Sequence, residues 1–426
     1  MEKIMIEGGL PLKGSVKISG SKNAALPLMA ASVLVDGPVR LSNVPQLSDI
    51  RTMADLLRNL GALCEWVTDD SLVIDGSGLS GFEAPYDTVR KMRASIYVLG
   101  PLLARLGRAR VSAPGGCAIG PRPIDLHLRG LEAIGTEIAL EHGYIEASAG
   151  PGKLQGRELD LIGPNGASVG ATCNVMMAAL GAQGTTVIRG AAREPEVADL
   201  CNFINAMGGA VEGAGTDTLA IEGGRKLGGG KYSVIPDRIE AATFLVAGAI
   251  TQGDVTAEGC RADMMQAVLD ALSEIGFELE VSKDRVRLNC SGGPLKPVNI
   301  VTMPYPDFPT DVQAQLTALL TLVPGVSTVK ETIYVDRFIH IAELLRLGAD
   351  ITLGRGEITI NGVESLSGAP VMASDLRASA ALVLAGLAAQ GTTDVLRVYH
   401  IDRGYERIDN KLRSLGARIR RGPQDQ

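Results

Sequence analysis

Six stretches of this chain are apolar nearly all round a helix. They begin near Lys22, Met92, Ser168, Arg238, Asp311 and Asp375, and each is rich in alanine and other small residues. A helix that is hydrophobic all round is buried on all sides. Each stretch leads into a glycine and a short strand, which leaves Gly37, Gly107, Gly184, Gly253, Gly325 or Gly391. A further hydrophobic stretch then closes on an apolar residue followed by glycine, at Leu60-Gly61, Ile134-Gly135, Met207-Gly208, Ile275-Gly276, Leu347-Gly348 and Leu415-Gly416. These markers recur every 68–74 residues, a period longer than that of a solenoid or propeller repeat.

The first copy shows the unit in full. Lys22–Leu34 is the buried helix and Val39–Asn43 the strand. Ser48–Leu60 places Ile50, Met53, Leu56 and Leu57 at amphipathic spacing, with Ser48 as its expected cap. Ala62–Val67 and Ser71–Ile74 alternate as a hairpin around Asp69 and Asp70. The fold class is therefore α/β, built from six βαβαββ-type units, three to a domain, with helices ringed by strands. A chain of 426 residues exceeds what one core accommodates. We expect one domain at 22–232, and a second formed by 1–21 with 233–426. The crossing is expected in Gly223–Ser233, where Gly224, Gly228, Gly229 and Gly230 loosen the chain.

Charge and composition exclude several classes. Net charge is −7, with acidic and basic residues well mixed and no dense basic run before Arg418–Arg421, so a nucleic-acid partner is not expected. Apolar runs such as Ala378–Ala389 are too short to span a bilayer, and no membrane association is expected. The start of the chain lacks the basic and long apolar regions of a signal peptide. Six scattered cysteines without CxxC pairing point to reduced thiols and a cytoplasmic setting.

The starts of the buried helices carry the chemistry. Ser, Thr and Asp there are explained by ordinary capping. Lys22, Arg93, Arg238 and Arg377 are not, because a cation at a helix N-terminus opposes the macrodipole. An anionic ligand reverses the sign of that conflict, since helix N-termini flanked by Lys and Arg form an anion site. A second feature is Cys117, on a glycine- and proline-rich loop with Arg122 shortly after it, a setting that can lower a thiol pKa. A loop cysteine is also commonly incidental.

The motifs Gly20–Ala24, Lys91–Ser95, Pro114–Gly120, Arg122–Leu126, Ser168–Ala171, Arg193–Glu196, Phe308–Asp311, Asp375–Arg377 and Tyr399–Tyr405 run in order along nearly the whole chain. In these the sequence resembles the enolpyruvyl transferases, and within them the branch that acts on a nucleotide sugar in bacterial peptidoglycan synthesis. The resemblance implies two inverse α/β barrels. It also implies transfer of the enolpyruvyl group of phosphoenolpyruvate to the 3′-hydroxyl of UDP-N-acetylglucosamine, with release of phosphate and without metal or redox cofactor. By the same resemblance Asp311 is the base and Cys117 the acid and the target of the epoxide fosfomycin. Lys22, Asn23, Arg122, Arg377 and Arg403 hold phosphoenolpyruvate, with Lys22 and Arg403 also counted in the catalytic set. Arg93, Arg122, Pro123, Ile124, Asp125, Leu126, Gly166, Ala167, Ser168, Val169, Asp311 and Ile333 meet the sugar nucleotide. Asp375 either orients Lys22 or Arg377 or only caps its helix. The stretch Thr136–Gly166 is longer than the family pattern and places an insertion before the Ser168 helix.

Three rivals share the repeat: a shikimate-type enolpyruvyl transferase, a non-catalytic sugar-nucleotide sensor and an RNA 3′-phosphate cyclase. The Pro-Gly-Gly-Cys loop followed by Arg-Pro-Ile-Asp-Leu belongs to the nucleotide-sugar branch. A pure binder has no need of both Cys117 and Asp311. The acidic balance disfavours the cyclase. Cys117→Ser is expected to lose most turnover, because a serine hydroxyl is too weak an acid to protonate a vinyl carbon. Cys117→Asp is expected to keep turnover and resist epoxide inactivation. Steady-state assays of both variants check this, and full activity in the serine variant would remove Cys117 from the reaction.

Overall fold

A computed structural model of the chain describes residues 2–90, 92–113, 124–149, 154–291 and 293–423. Cys117, Arg122 and Pro123 lie outside the described residues. The chain divides into two compact units. Among the described residues, one unit runs from Gly20 to Ile235, and the other combines the residues up to Ser19 with the chain from Pro236 onward.

Six helices occupy the cores: Lys22–Ser32, Leu99–Leu106 and Val169–Ala179 in one unit, Arg238–Ile250, Gln313–Leu320 and Leu376–Ala388 in the other. Every residue of Arg238–Ile250 is buried, as are all eight of Gln313–Leu320. Around these helices stand six four-stranded sheets among the described residues. Each sheet has one pattern, a parallel pair followed by two antiparallel steps. In one sheet Gly228–Ser233 pairs in parallel with Asp36–Ser42, then Ser71–Asp75 and Leu63–Thr68 follow antiparallel. In another, Lys13–Lys17 lies parallel to Asp254–Glu258, with Arg285–Asn289 and Glu278–Val281 beyond. Helices inside and strands outside make each unit an inverse α/β barrel. Glu2–Glu7 joins the Thr392–Leu396 and Arg418–Pro423 strands, so the two ends of the chain share a sheet.

The repeat markers have a backbone reason. Gly61, Gly135, Gly208, Gly276, Gly348 and Gly416 all have φ between 89° and 117°, the region in which a helix is closed by a residue without Cβ. Capping at the buried helices follows the expected residues. Ser21 accepts from the Ala24 N–H and Ser168 from the Ala171 N–H, each at 3.3 Å. Asp237 accepts from the N–H groups of Ile239 and Glu240 at 2.8 and 3.0 Å.

Two local expectations are corrected. The outer helix Ser48–Asn59 has Leu47, not Ser48, in the cap position, without a side-chain cap bond. Gly228–Ser233 is a strand and not a loosened crossing. Tyr232 anchors it by packing edge-on against Phe203 at 5.4 Å and by donating its hydroxyl to Asp199 at 2.6 Å. Among the described residues no helix is long and apolar enough to cross a membrane.

Where buried helices touch, side-chain volume is limiting. Gly100 lies against the Val169–Ala179 helix: its N–H donates to Asn174 Oδ1 at 2.8 Å, and a Cβ there would meet the Asn174 carbonyl oxygen at 2.2 Å. Gly100→Ala is expected to destabilise the fold by about 1–3 kcal/mol, the usual cost of overpacking. Urea unfolding measures it, and an unchanged midpoint would contradict this packing.

Candidate active site

The unit from Gly20 to Ile235 gathers one group of candidates. Lys22 and Asn23 open the Lys22–Ser32 helix directly after the Ser21 cap. The Lys22 ammonium lies 3.5 Å from Asp49 Oδ2, and Asp49 is only 3% exposed. A cation in the first turn opposes the macrodipole, and this carboxylate offsets that conflict. Arg93 begins a 3₁₀ turn, Arg93–Val98, that runs straight into the Leu99–Leu106 helix. Ile124 precedes the Asp125–Ala133 helix, whose first turn holds Asp125 and Leu126. Gly166 closes a tight turn with Gly163 at φ 88°, Ala167 follows, Ser168 caps the next helix, and Val169 begins it.

Between these elements sits His127, buried with Asn174. The Asn174 amide donates to the Ile96 carbonyl at 2.8 Å and contacts His127 Nδ1 at 2.9 Å, while its Oδ1 takes the Gly100 N–H. Both amide hydrogens are donors, so Nδ1 accepts and the neutral imidazole carries its proton on Nε2. Burial, reinforced by the Arg93 cation, pushes the His127 pKa down to about 3.

The other unit holds the second group. Asp311 lies in a 3₁₀ turn, Thr310–Val312, leading into Gln313–Leu320. Two guanidiniums clasp its carboxylate. Arg337 reaches Oδ1 at 2.8 Å and Arg377 reaches Oδ2 at 3.3 Å, and both arginines are almost wholly buried. Arg337 also donates to Thr310 Oγ1 at 3.0 Å. Thr310 donates in turn to Glu331 Oε2 at 2.8 Å. Buried Glu331 further accepts from Thr302 and from the N–H groups of Ile333 and Tyr334, which fixes the start of the Ile333 loop. Asp375 accepts from the Arg377 and Ala378 N–H groups at 2.8 and 3.1 Å, the geometry of a helix cap. Arg403 ends the 3₁₀ segment Val398–Arg403.

Asp311 and Arg377 are thus in direct contact, and Ile333 is tied to Asp311 through Glu331, Thr310 and Arg337. Sequence reasoning missed Arg337, Glu331 and Asp49. Arg337 is at no helix start, and Asp49 reads as an ordinary first-turn acid. The one available signal was the need of buried cations for acidic partners.

Two inverse α/β barrels, with Lys22, Arg238 and Arg377 in the first turns of their buried helices, are the class of protein that this fold defines. Comparison with known proteins agrees with that class. A family profile described as EPSP synthase (3-phosphoshikimate 1-carboxyvinyltransferase) matches residues 6–412. A protein of Anaeromyxobacter dehalogenans (strain 2CP-C) named UDP-N-acetylglucosamine 1-carboxyvinyltransferase is 55% identical over 425 residues, 99% of each chain. Its namesake from Trichlorobacter lovleyi is 52% identical over 423 residues, again 99% of each. Among solved structures, the enolpyruvyl transferase NikO from Streptomyces tendae superposes with a TM-score of 0.89 at 26% identity, covering 99% of this chain and 98% of that one. An EPSP synthase from Acinetobacter baumannii shares the fold, with a TM-score of 0.75 at 20% identity over 99% of this chain and all of its own. This chain belongs to the EPSP synthase family of enolpyruvyl transferases.

The His127 arrangement has a pH consequence. The folded pKa lies below the ordinary imidazole value, so the histidine's contribution to stability is complete above about pH 6.5 and is lost as pH falls toward about 3. Long-range ¹H–¹⁵N NMR is expected to show the neutral, Nε2-protonated ring still present at pH 5. A doubly protonated His127 at that pH would contradict the contact with Asn174.

Proposed function

We propose that this enzyme transfers the enolpyruvyl group of phosphoenolpyruvate to the 3′-hydroxyl of UDP-N-acetylglucosamine, in the cytoplasm, as the committing step of peptidoglycan synthesis. The observation that carries the reading is Asp311, clasped by two buried guanidiniums at the start of a buried helix. Full-length relatives above 50% identity bearing the nucleotide-sugar name support this acceptor over the shikimate-type alternative, whose structures here share only the fold.

The chemistry is addition followed by elimination. The sugar 3′-oxygen bonds to C2 of phosphoenolpyruvate as its proton passes to Asp311, and C3 receives a proton from Cys117. A C3 proton of the tetrahedral adduct then returns to the Cys117 thiolate as the double bond re-forms, and phosphate leaves with the proton held by Asp311, giving the enolpyruvyl ether. Lys22, Arg122 and Arg403 are assigned to the phosphate. Arg377, joined by Arg337, is assigned to the carboxylate, because paired guanidinium forks suit bidentate anion contacts. In the free protein both arginines are occupied by Asp311. An incoming carboxylate that takes them over releases the Asp311 oxygens to accept the hydroxyl proton. Arg93, Arg122–Leu126, Gly166–Val169, Asp311 and Ile333 are assigned to the sugar nucleotide.

Phosphate release is expected with UDP-N-acetylglucosamine as acceptor and not with shikimate 3-phosphate; the reverse preference would overturn the reading. Asp311→Asn is expected to lower the chemical rate by about 10²–10⁴ while keeping nucleotide affinity within about tenfold, the usual worth of a positioned base. Single-turnover kinetics beside calorimetry would separate the two. Collapsed binding with a surviving rate per bound complex would make Asp311 a binding group only.

A further inference from the structure

The phenol of Tyr405 lies at the centre of the three helices that carry the Asp311 site. It is 1% exposed, and its hydroxyl meets three side chains: Thr243 Oγ1 at 2.9 Å, Gln315 Nε2 at 3.0 Å and Arg377 Nη1 at 3.2 Å. Those partners come from the helices Arg238–Ile250, Gln313–Leu320 and Leu376–Ala388 respectively. The direction of each bond follows from counting hydrogens. Thr243 donates its own hydroxyl hydrogen to the Ile239 carbonyl at 2.8 Å, so its oxygen accepts from the phenol. Gln315 and Arg377 present N–H groups, so both donate to the phenol oxygen. One donation and two acceptances exhaust what a tyrosine hydroxyl can do.

The same partners converge again on Asp311. Gln315 Nε2 donates to the Asp311 carbonyl at 2.9 Å, and Arg377 Nη2 contacts the Asp311 carboxylate at 3.3 Å. Tyr405, Gln315, Asp311 and Arg377 therefore close a ring of hydrogen bonds in which the backbone and the side chain of Asp311 are held separately. We propose that Tyr405 is a positioning residue for the reaction: its hydroxyl sets the angle of the Arg377 guanidinium, and through Gln315 the place of the Asp311 main chain. The hydroxyl itself does not touch Asp311. The inference rests on the reaction proposed above. It extends that reading by assigning a function to a buried polar atom that packing alone does not require, since a phenylalanine ring would fill the same space.

Tyr405→Phe removes that oxygen and leaves the ring. Steady-state kinetics with phosphoenolpyruvate and UDP-N-acetylglucosamine, corrected for folded enzyme, are expected to show KM for phosphoenolpyruvate raised at least fivefold and kcat lowered about tenfold. Calorimetric affinity for UDP-N-acetylglucosamine alone should change less than twofold. A purely structural phenol would shift the melting temperature and leave both kinetic constants of the folded enzyme at their wild-type values, and that result overturns the proposal. Should Tyr405→Phe not fold, 3,5-difluorotyrosine in place of Tyr405 makes the oxygen a poorer acceptor at nearly constant shape. It is expected to raise the same KM about twofold, and an unchanged KM there also overturns the proposal. Wild-type enzyme that fails to release phosphate from this substrate pair would instead refute the assigned reaction.

Discussion

The constraint on which everything else depends is the near-complete burial of six helices among the described residues. A helix with little exposed surface can offer charged groups to a ligand chiefly at its ends. In each unit the first turns of such helices carry the charged side chains, while their bodies are mostly small and aliphatic, with a few buried polar residues such as Asn174, Thr243 and Gln315 that are hydrogen-bonded internally. The fold thereby concentrates capped first turns and charged side chains at one kind of place. Strands around the outside complete the hydrogen bonding of the backbone and leave the helix ends to chemistry.

Cations at those ends are electrostatically misplaced until something negative joins them. In the free protein that negative charge comes from the protein: Asp49 for Lys22, and Asp311 for Arg337 and Arg377. Each arginine is almost fully buried, so loss of its partner would leave a charge in a medium that solvates it poorly. The charge that holds a guanidinium in place before the substrate arrives is thus the group assigned to take a proton afterwards. On the proposed reaction, holding the site together and taking the proton would fall to the same carboxylate, and Glu331 and Tyr405 stand behind the two arms of the clasp.

Much of this was legible in the sequence because it is local and repeated. The six apolar helices, the marker glycines with positive φ, and the caps Ser21, Ser168 and Asp237 follow from residue type at fixed spacing. So did the misfit of Lys22, Arg93, Arg238 and Arg377 at helix starts. Features set by long-range geometry were not legible. Gly228–Ser233 reads as loose from its glycines, yet it completes a sheet nearly two hundred residues away in sequence because Tyr232 finds Phe203 and Asp199. Arg337 carries no helix-start signal, and its role appears only when its loop is seen folded back on Thr310 and Asp311. Asp375 admitted two readings, and only the geometry shows it capping its own helix.

The central claim is that Asp311 is the internal counter-ion of guanidiniums reserved for the substrate. Its most direct test is the affinity of phosphoenolpyruvate for Asp311→Asn and for wild type, measured by calorimetry in the presence of a 3′-deoxy sugar nucleotide that cannot react. With the competing carboxylate gone, the substrate meets arginines that no acid occupies, so the variant is expected to bind phosphoenolpyruvate at least as tightly as wild type. Markedly weaker binding by the variant would mean that Asp311 helps to hold the substrate and does not stand in for it.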